Sequence, residues 1–419
     1  MQYTFRLTLL TIILSILCLV FIILLATTLR RVFHSWKYKE LDKQRKDFRE
    51  KLQRDLDSGK VFQRINDYRS SSRSIKFQAI EDVLIGLINE ERYRKEAQEI
   101  LVKLGYITFY EKRLKSRNII TKSSAINKIG RMVSESSIDK LTDILKTKNI
   151  EAISVAVRSL SKIGSIGGLK GILEHMPYLF KESLVAQKTV ETSLTNFGTQ
   201  AIPMLIEYGK KFIDPRITAT LLEVINTLPP TKMSCSFAQD NLKSNEAEVR
   251  AKAVKVLGQA SISYKEFDPG ILLPLVRDHV WFVRLQAANA LGNLRYQKAL
   301  YILGTLIIDE NWQVRNAASL SLTKFGDASI DIFLIALKFK DIYAKESICE
   351  EIEKTNFVYR LIQNLDSADR ELCEKSKEVL SIMHSLQFST PLIEYLKKGE
   401  NDLIKREIAL MITPKGQKT

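Results

Sequence analysis

The sequence predicts an all-α fold, a solenoid of about eleven stacked helix pairs preceded by one transmembrane helix. Three observations predict it. Only 17 Gly and 9 Pro occur in 419 residues rich in Leu, Ile, Lys, Glu and Ala, a composition of helices rather than of many-turned β structure. An uncharged apolar run of about 23 residues lies near the N-terminus. Behind it, one helical frame recurs at an interval of about 30 residues, and a fixed period of that length is the mark of stacked repeat units.

Residues 1–6 form a short leading segment, and the apolar run follows as LTLLTIILSILCLVFIILLATTL, residues 7–29. At 1.5 Å per residue it is long enough to cross a hydrocarbon core of about 30 Å. A cleaved signal peptide would carry basic residues ahead of an apolar stretch of about 7 to 15 residues. Here only Arg6 precedes the run and Arg30-Arg31 follow it, so an uncleaved anchor is expected. Lys37, Lys39, Lys43, Arg45 and Lys46 also crowd the C-terminal flank, which puts the rest of the chain on the cytoplasmic side, as a single-pass protein of the inner membrane with its N-terminus outside.

Residues 30–73 mix both signs of charge with scattered apolar positions and lack sustained heptads, and are expected to be a helical juxtamembrane stalk. Between residues 30 and 69 about 13 basic residues face about 7 acidic ones. This excess attracts anionic headgroups at about 1 kcal/mol per well-placed cation. Arg30, Arg31, Lys37 and Lys39 are the expected headgroup contacts. The SSSRS run at 70–74 is expected to be a hinge.

Residues 74–413 hold the repeats, and 414–419 a flexible tail. The frame is clearest in DHVWFVRLQAANALGNL, residues 278–294, where Val283, Ala287, Ala290 and Leu291 fall at i, i+4, i+7 and i+8 on one helical stripe. It recurs at Val249, Ala253, Val256 and Leu257, and at Val314, Ala318, Ser321 and Leu322. Marked by the i+8 residue, copies fall at 101, 126, 160, 194, 225, 257, 291, 322, 352, 380 and 412, those at Ile126 and Ile352 being the weakest. A second apolar segment of about three turns separates most copies, among them TQAIPMLIEYGKKF, DPGILLPLVRD and KALYILGTLIID, so each unit is a helix pair with the frame on its second member. Gly105, Gly130, Gly164, Gly198 and Gly326 are expected to end second helices, and Asp278 and Asp309 to cap the starts of others.

The pattern Asp-x-x-x-x-Val-Arg-x-x-Ala-x-x-Ala-Leu-Gly at Asp278–Gly292 resembles the second helix of a HEAT repeat, in the short bacterial form also seen in phycobilin-lyase-type proteins. Pro203 and Pro274 resemble the proline common in a HEAT first helix. The resemblance runs over roughly residues 75–413 and is most specific over 245–326. The ankyrin and tetratricopeptide signatures are absent. Arg250, Arg284 and Arg315 follow the frame's first valine, near the start of their helices, where the dipole disfavours an unpaired cation. The resemblance implies pairing with an acid on an adjacent repeat; the alternative is a ligand-binding arginine row.

No signature of catalysis emerges, and none of a cofactor or metal site. His34, His175, His279 and His384 are scattered, and H-E-x-x-H, G-x-S-x-G and a phosphate-loop lysine are missing. Cys18, Cys235, Cys349 and Cys373 form no C-x-x-C pair and read as reduced, buried thiols. The net charge of +16 admits nucleic-acid binding, with Trp281 and Trp312 the only stacking candidates, but a membrane tether weighs against it. The expectation is a non-enzymatic scaffold that binds protein partners at the membrane through one helix of each pair, small molecules and nucleic acid not being expected ligands. The second reading is an accessory subunit of a membrane enzyme system, such as a polysaccharide-synthesising glycosyltransferase.

Overall fold

Twenty-two α-helices and several short 3-10 segments make up a computed structural model with no strand among the described residues. These residues are 2–212, 214–260 and 267–413, the side chains of 2–15 and of Ala260 excepted. The expected tail at 414–419 therefore lies outside them, as do the side chains of the first nine residues of the expected membrane span. The chain divides into two compact units, residues 1–175 with 181–189, and residues 176–180 with 190–419.

In the first unit one helix, Gln2–Asp57, runs from the apolar segment into the body. Its side chains are exposed from Ile16 to Leu29 and remain so through Phe33 and Trp36. Burial begins at Leu41, and at Leu52 the side chain is wholly covered where the helix packs on Ile75–Ile88. The stretch expected to be a stalk is thus part of the body from Leu41 onward. The reason is visible in its charges: Arg45 pairs with Asp82, Arg49 with Glu90, and Asp57 accepts from both Arg92 and the Tyr93 hydroxyl. Ser74, expected in a hinge, instead accepts the Phe77 amide and caps the Ile75–Ile88 helix.

That helix carries an acidic pair inside an apolar sequence. Glu81 is buried and bridged by Lys128 from the Ile119–Arg131 helix at 3.1 Å, and Lys128 also reaches Asp82 at 3.5 Å. Burial drives the Glu81 carboxyl upward, against the opposing pull of Lys128. Arg45, Asp82, Lys128 and Glu81 tie three helices together, because a buried carboxylate is tolerated only when paired.

The remaining helices pair in sequence. In the first unit Ile75–Ile88 precedes Arg94–Lys103, Tyr106–Arg113 precedes Ile119–Arg131, and Ile138–Leu145 precedes Ile150–Ile163. The helices Ile166–Lys181 and Gln187–Thr195 divide between the units. In the second unit the pattern continues from Ile202–Lys211 with Pro215–Thr227 to Thr390–Lys398 with Asp402–Ile412. Eleven second helices hold the eleven copies of the frame. Their i+8 residues are fully covered at Leu101, Leu160, Leu257, Leu291, Leu322, Ile352 and Leu380 and only half-buried at Ile412, which ends the series.

Two sequence expectations change register or type. The copy placed at Ile126 belongs at Ile129. Asn118 caps that helix, and a cap three residues before i recurs as Asn149, Asp214, Asn311, Asp341, Asp369 and Asn401. DPGILLPLVRD is not an α-helix but a 3-10 segment, Pro269–Arg277. Pro274 has no amide to donate, and its ring meets the carbonyl four residues back.

Close packing between second helices explains the small residues. A methyl group on Gly258 would lie 2.8 Å from the Ala290 Cβ, and one on Gly130 2.6 Å from the Ser159 Cβ. Gly292 is opposed to Ser321 in the same way. Each glycine sits at i+9 and meets the i+7 residue of the next repeat. Gly130, expected to end its helix, is therefore interior to it. Gly105, Gly164, Gly198 and Gly326 do have positive φ, and Gly164 closes its helix by donating its amide hydrogen bond to the Leu160 carbonyl.

Candidate interaction surface

Consecutive second helices of the second unit, Ala247–Ala260, Trp281–Asn293, Trp312–Thr323 and Ile342–Lys354, pack side by side. Residues at equal frame positions therefore line up along the edge formed by the turns that lead into these helices, about 8 to 10 Å apart at usual interhelical spacing.

The arginines after the first frame valine occupy this edge. Arg250 donates Nε to Asp278 Oδ2 at 2.7 Å and Nη2 to Oδ1 at 2.9 Å, while Nη1 donates to the carbonyls of Ser244 and Asn245. Arg284 repeats the arrangement one unit on, with Nε to Asp309 at 2.7 Å, Nη2 to Asp309 at 2.8 Å and to Glu310 at 3.1 Å, and Nη1 to the Asp278 and His279 carbonyls. All four paired side chains are more than nine-tenths buried. Forked, two-bond geometry on a carboxylate is what makes such a pair tolerable away from water.

Asp278 and Asp309 thus have a different task from the helix caps expected of them. Each accepts the amide two residues on, Val280 or Asn311, in a turn ahead of the helix, leaving its carboxylate facing the preceding arginine. The helix caps proper are Val280, which makes no side-chain bond, and Asn311. Burial raises the Asp278 carboxyl, but the Arg250 hydrogen bond, the Val280 amide and the Arg250 charge more than offset it and hold the group below its ordinary value. Hydrogen bonding to Asp309 raises the Arg284 guanidinium.

Arg315 departs from the pairing implied for all three. Its Nη1 donates to the Asp309 carbonyl at 2.9 Å and the Glu310 carbonyl at 3.4 Å, as Arg284 does one unit earlier. Its Nε is buried and meets no acceptor among the described residues. The position five before the next frame, which is Asp278 or Asp309 in the preceding units, is Phe339.

The same edge exposes large apolar side chains. Trp281, Trp312 and Ile342 are the first residues of their helices; Ile308, Phe339 and Tyr343 flank them, with Trp312 60% and Tyr343 68% exposed. In the first unit, Ile120 and Ile150 are exposed at the starts of their own helices. His279 is exposed beside Asp278. Arg30, Arg31 and Lys39 are exposed on the N-terminal helix and Lys37 partly so.

Several ties escaped the sequence. Arg360 grips Asp327 through Nε and Nη2, both at 2.7 Å, with Asn364 on the same carboxylate, and this holds the Asp327 carboxyl below its usual range. These residues lie outside the frame, so its periodicity gives no signal of them. The acidic pair Glu81-Asp82 in an otherwise apolar helix does carry one, since buried acids require a cation.

The family model for HEAT repeats matches residues 236–323 and 269–350. No curated protein sequence matches the chain. Among solved structures, it is similar to an engineered protein at 16% identity, over 84% of this chain and 97% of that one, with a TM-score of 0.34. It is also similar to Kap121p, at 14% identity over 80% of this chain and 45% of the other, TM-score 0.46, and to Kap121p bound to Nup53p, at 13%, 81% and 46%, TM-score 0.43. The chain spans just under half the length of these two structures. The matched residues, 236–350, fall on the helix pairs that carry the arginine frame, and these pairs are HEAT repeats.

Proposed function

We propose that the chain is a membrane-anchored scaffold that binds protein partners on the turn edge of its second unit. The row of exposed apolar side chains there carries this reading: Trp281, Ile308, Trp312, Phe339, Ile342 and Tyr343 recur at repeat spacing. Scattered apolar residues on a surface need no explanation, but aromatic and aliphatic side chains repeated along one edge have the composition of protein interfaces. The function assigned is binding, with no reaction attached.

The anchor rests on the exposed helix. An 18-residue window of its segment from Ile16 has a mean hydropathy of 2.2, and none of that window is covered by the protein. Phe33, Trp36 and Tyr38 follow the apolar run and suit a membrane–water interface, with Arg30, Arg31, Lys37 and Lys39 at headgroup level. About 18 Å of helix separates Leu29 from Leu41, so the body is held close to the membrane surface on the side of the basic flank.

Two measurements test the proposal. Alkaline carbonate should leave the full chain in the membrane pellet, and a C-terminal fluorescent protein should be bright where a C-terminal alkaline phosphatase is inactive; soluble recovery or the reverse reporter pattern removes the anchor or its orientation. A photo-cross-linking residue at Ile308 should trap a defined set of proteins in native membranes, and the same residue at exposed Val102 should not. Equal labelling from both sites would defeat the scaffold reading.

A further inference from the structure

We propose that Arg315 is a receptor for a side-chain carboxylate, and that the partner segment docking on the turn edge is acidic. This rests on the scaffold reading and adds the chemistry of the partner.

Two preceding copies show what the position does. In each, a buried arginine fixes Nη1 on carbonyls of its own turn and turns Nε and Nη2 toward one carboxylate of the next repeat. Arg315 is fixed by the same two carbonyls as Arg284 would be one unit on, at 2.9 and 3.4 Å in both cases. Its fork is therefore held in the posture that takes a carboxylate side-on. What changes is the neighbour. The Asp309-Glu310 pair that serves Arg284 is replaced, one repeat later, by Phe339-Lys340, and the arginine place of that repeat by Lys345.

The next unit thus supplies a ring and two cations where its predecessor supplies two acids. The carboxylate of that turn, Asp341, is engaged by the amides of Tyr343 and Ala344 as the helix cap. Lys338 is paired with Glu378, and Ser347 with Asn316. A guanidinium fixed where the next repeat's acids are replaced by Phe339 and Lys340, with exposed Trp312 one turn before it on its own helix and exposed Tyr343 near the start of the next, calls for an anion in apolar surroundings. A carboxylate on a peptide meets both requirements. The flat, two-oxygen acceptor is the one this fork already holds in the two earlier copies, which favours it over a phosphate.

The test uses the full chain in detergent micelles and a fluorescein-labelled decapeptide of glutamate, with the glutamine decapeptide as blank, read by anisotropy. Saturable binding of the glutamate peptide is expected, weakened roughly tenfold or more by Arg315→Gln, since one charge-assisted pair is removed. Lys148→Gln, at an exposed site in the first unit, should leave it unchanged. Phe339→Asp supplies the acid internally: it should weaken peptide binding to the same degree and, without peptide, raise hydrogen-exchange protection in Trp312–Thr323. The proposal is overturned if Arg315→Gln leaves peptide binding intact, if Phe339→Asp leaves protection unchanged, or if inorganic phosphate binds in an Arg315-dependent way while the peptide does not. Persistence of the Ile308 cross-links in any of these cases would leave the scaffold standing and remove only the carboxylate chemistry.

Discussion

Replacing Gly292 by alanine sets two physical effects of known sign against each other. In a helix interior alanine is favoured over glycine by about 1 kcal/mol, so an unopposed substitution stabilises. At Gly292 it is opposed, because the new Cβ would meet Ser321, at 2.5 Å from Oγ and 2.8 Å from Cα. The Cα belongs to the backbone of the Trp312–Thr323 helix and has no rotamer by which to withdraw. Restoring ordinary contact near 3.5 Å needs a separation of roughly 0.7 Å, and a gap of that size forfeits about a quarter to a half of each dispersion contact across the interface. Overpacking of this kind costs about 1 to 3 kcal/mol. The net effect should be a destabilisation of up to about 2 kcal/mol, or up to about 30-fold in local opening. Gly86 is the control: also helical, half-buried, with nothing within 4 Å of its added methyl. Gly86→Ala should stabilise by about 1 kcal/mol. Hydrogen exchange on the full chain in micelles reads both, with lost protection expected in Trp281–Asn293 and Trp312–Thr323. If Gly292→Ala gained protection as Gly86→Ala does, the close approach of second helices would not be the reason for the glycine.

Leu52→Ala, at a fully covered site, should cost about 2 to 5 kcal/mol and expose Leu41–Asp57 and Ile75–Ile88 to exchange together; unchanged protection would mean that the N-terminal helix does not belong to the body. Asp278→Asn should cost about 3 to 5 kcal/mol at neutral pH, because buried Arg250 loses its anion. The folded carboxyl titrates below the ordinary value near 3.8, so its contribution is complete above that pH and disappears as pH falls through the lower, folded value. Urea midpoints of wild type and variant should accordingly converge on acidification below about pH 4, and a constant difference down to pH 2 would contradict the assigned pair.

The helix pairs were legible because burial imposes a period: a stripe at i, i+4, i+7 and i+8 is unavoidable wherever one helix must cover another, and eleven copies of it map to eleven second helices. The copy at Ile126 was displaced by three residues because Ile126 and Ile129 are both fully buried, so hydrophobicity alone fits either register. Asn118 and Gly130 resolve it, one by capping and the other by close approach. The stalk expectation fails beyond Leu41 for a related reason. A surface helix that docks through two leucines and a set of ion pairs has no long apolar stripe, and its partners Asp82 and Glu90 lie about 40 residues away in sequence. At the candidate surface the arginines were visible one by one, yet the property that distinguishes Arg315 resides in the following repeat, where a phenylalanine occupies an aspartate's place.

The difference among the three arginines bears on why a repeat array would retain a cation it does not pair. Asp278 and Asp309 each serve two repeats, accepting an amide in their own turn and a guanidinium from the preceding unit. The ladder therefore binds neighbours into a continuous stack, and Ser244, at the position before Asp278 in this series, makes Arg250 its first member. At its far end the chain had a conservative way to stop, which was to lose the arginine together with the acid. It keeps the arginine, holds two of its donors on backbone carbonyls, and exposes Trp312 on the same helix and Phe339 and Tyr343 on the next repeat. A guanidinium so placed has lost part of its hydration and gained no internal anion, an arrangement that costs stability in the isolated chain and returns it when a carboxylate arrives. Stability withheld at an interface in this way is released only on binding, so the end of the ladder is where affinity for an acidic partner should concentrate.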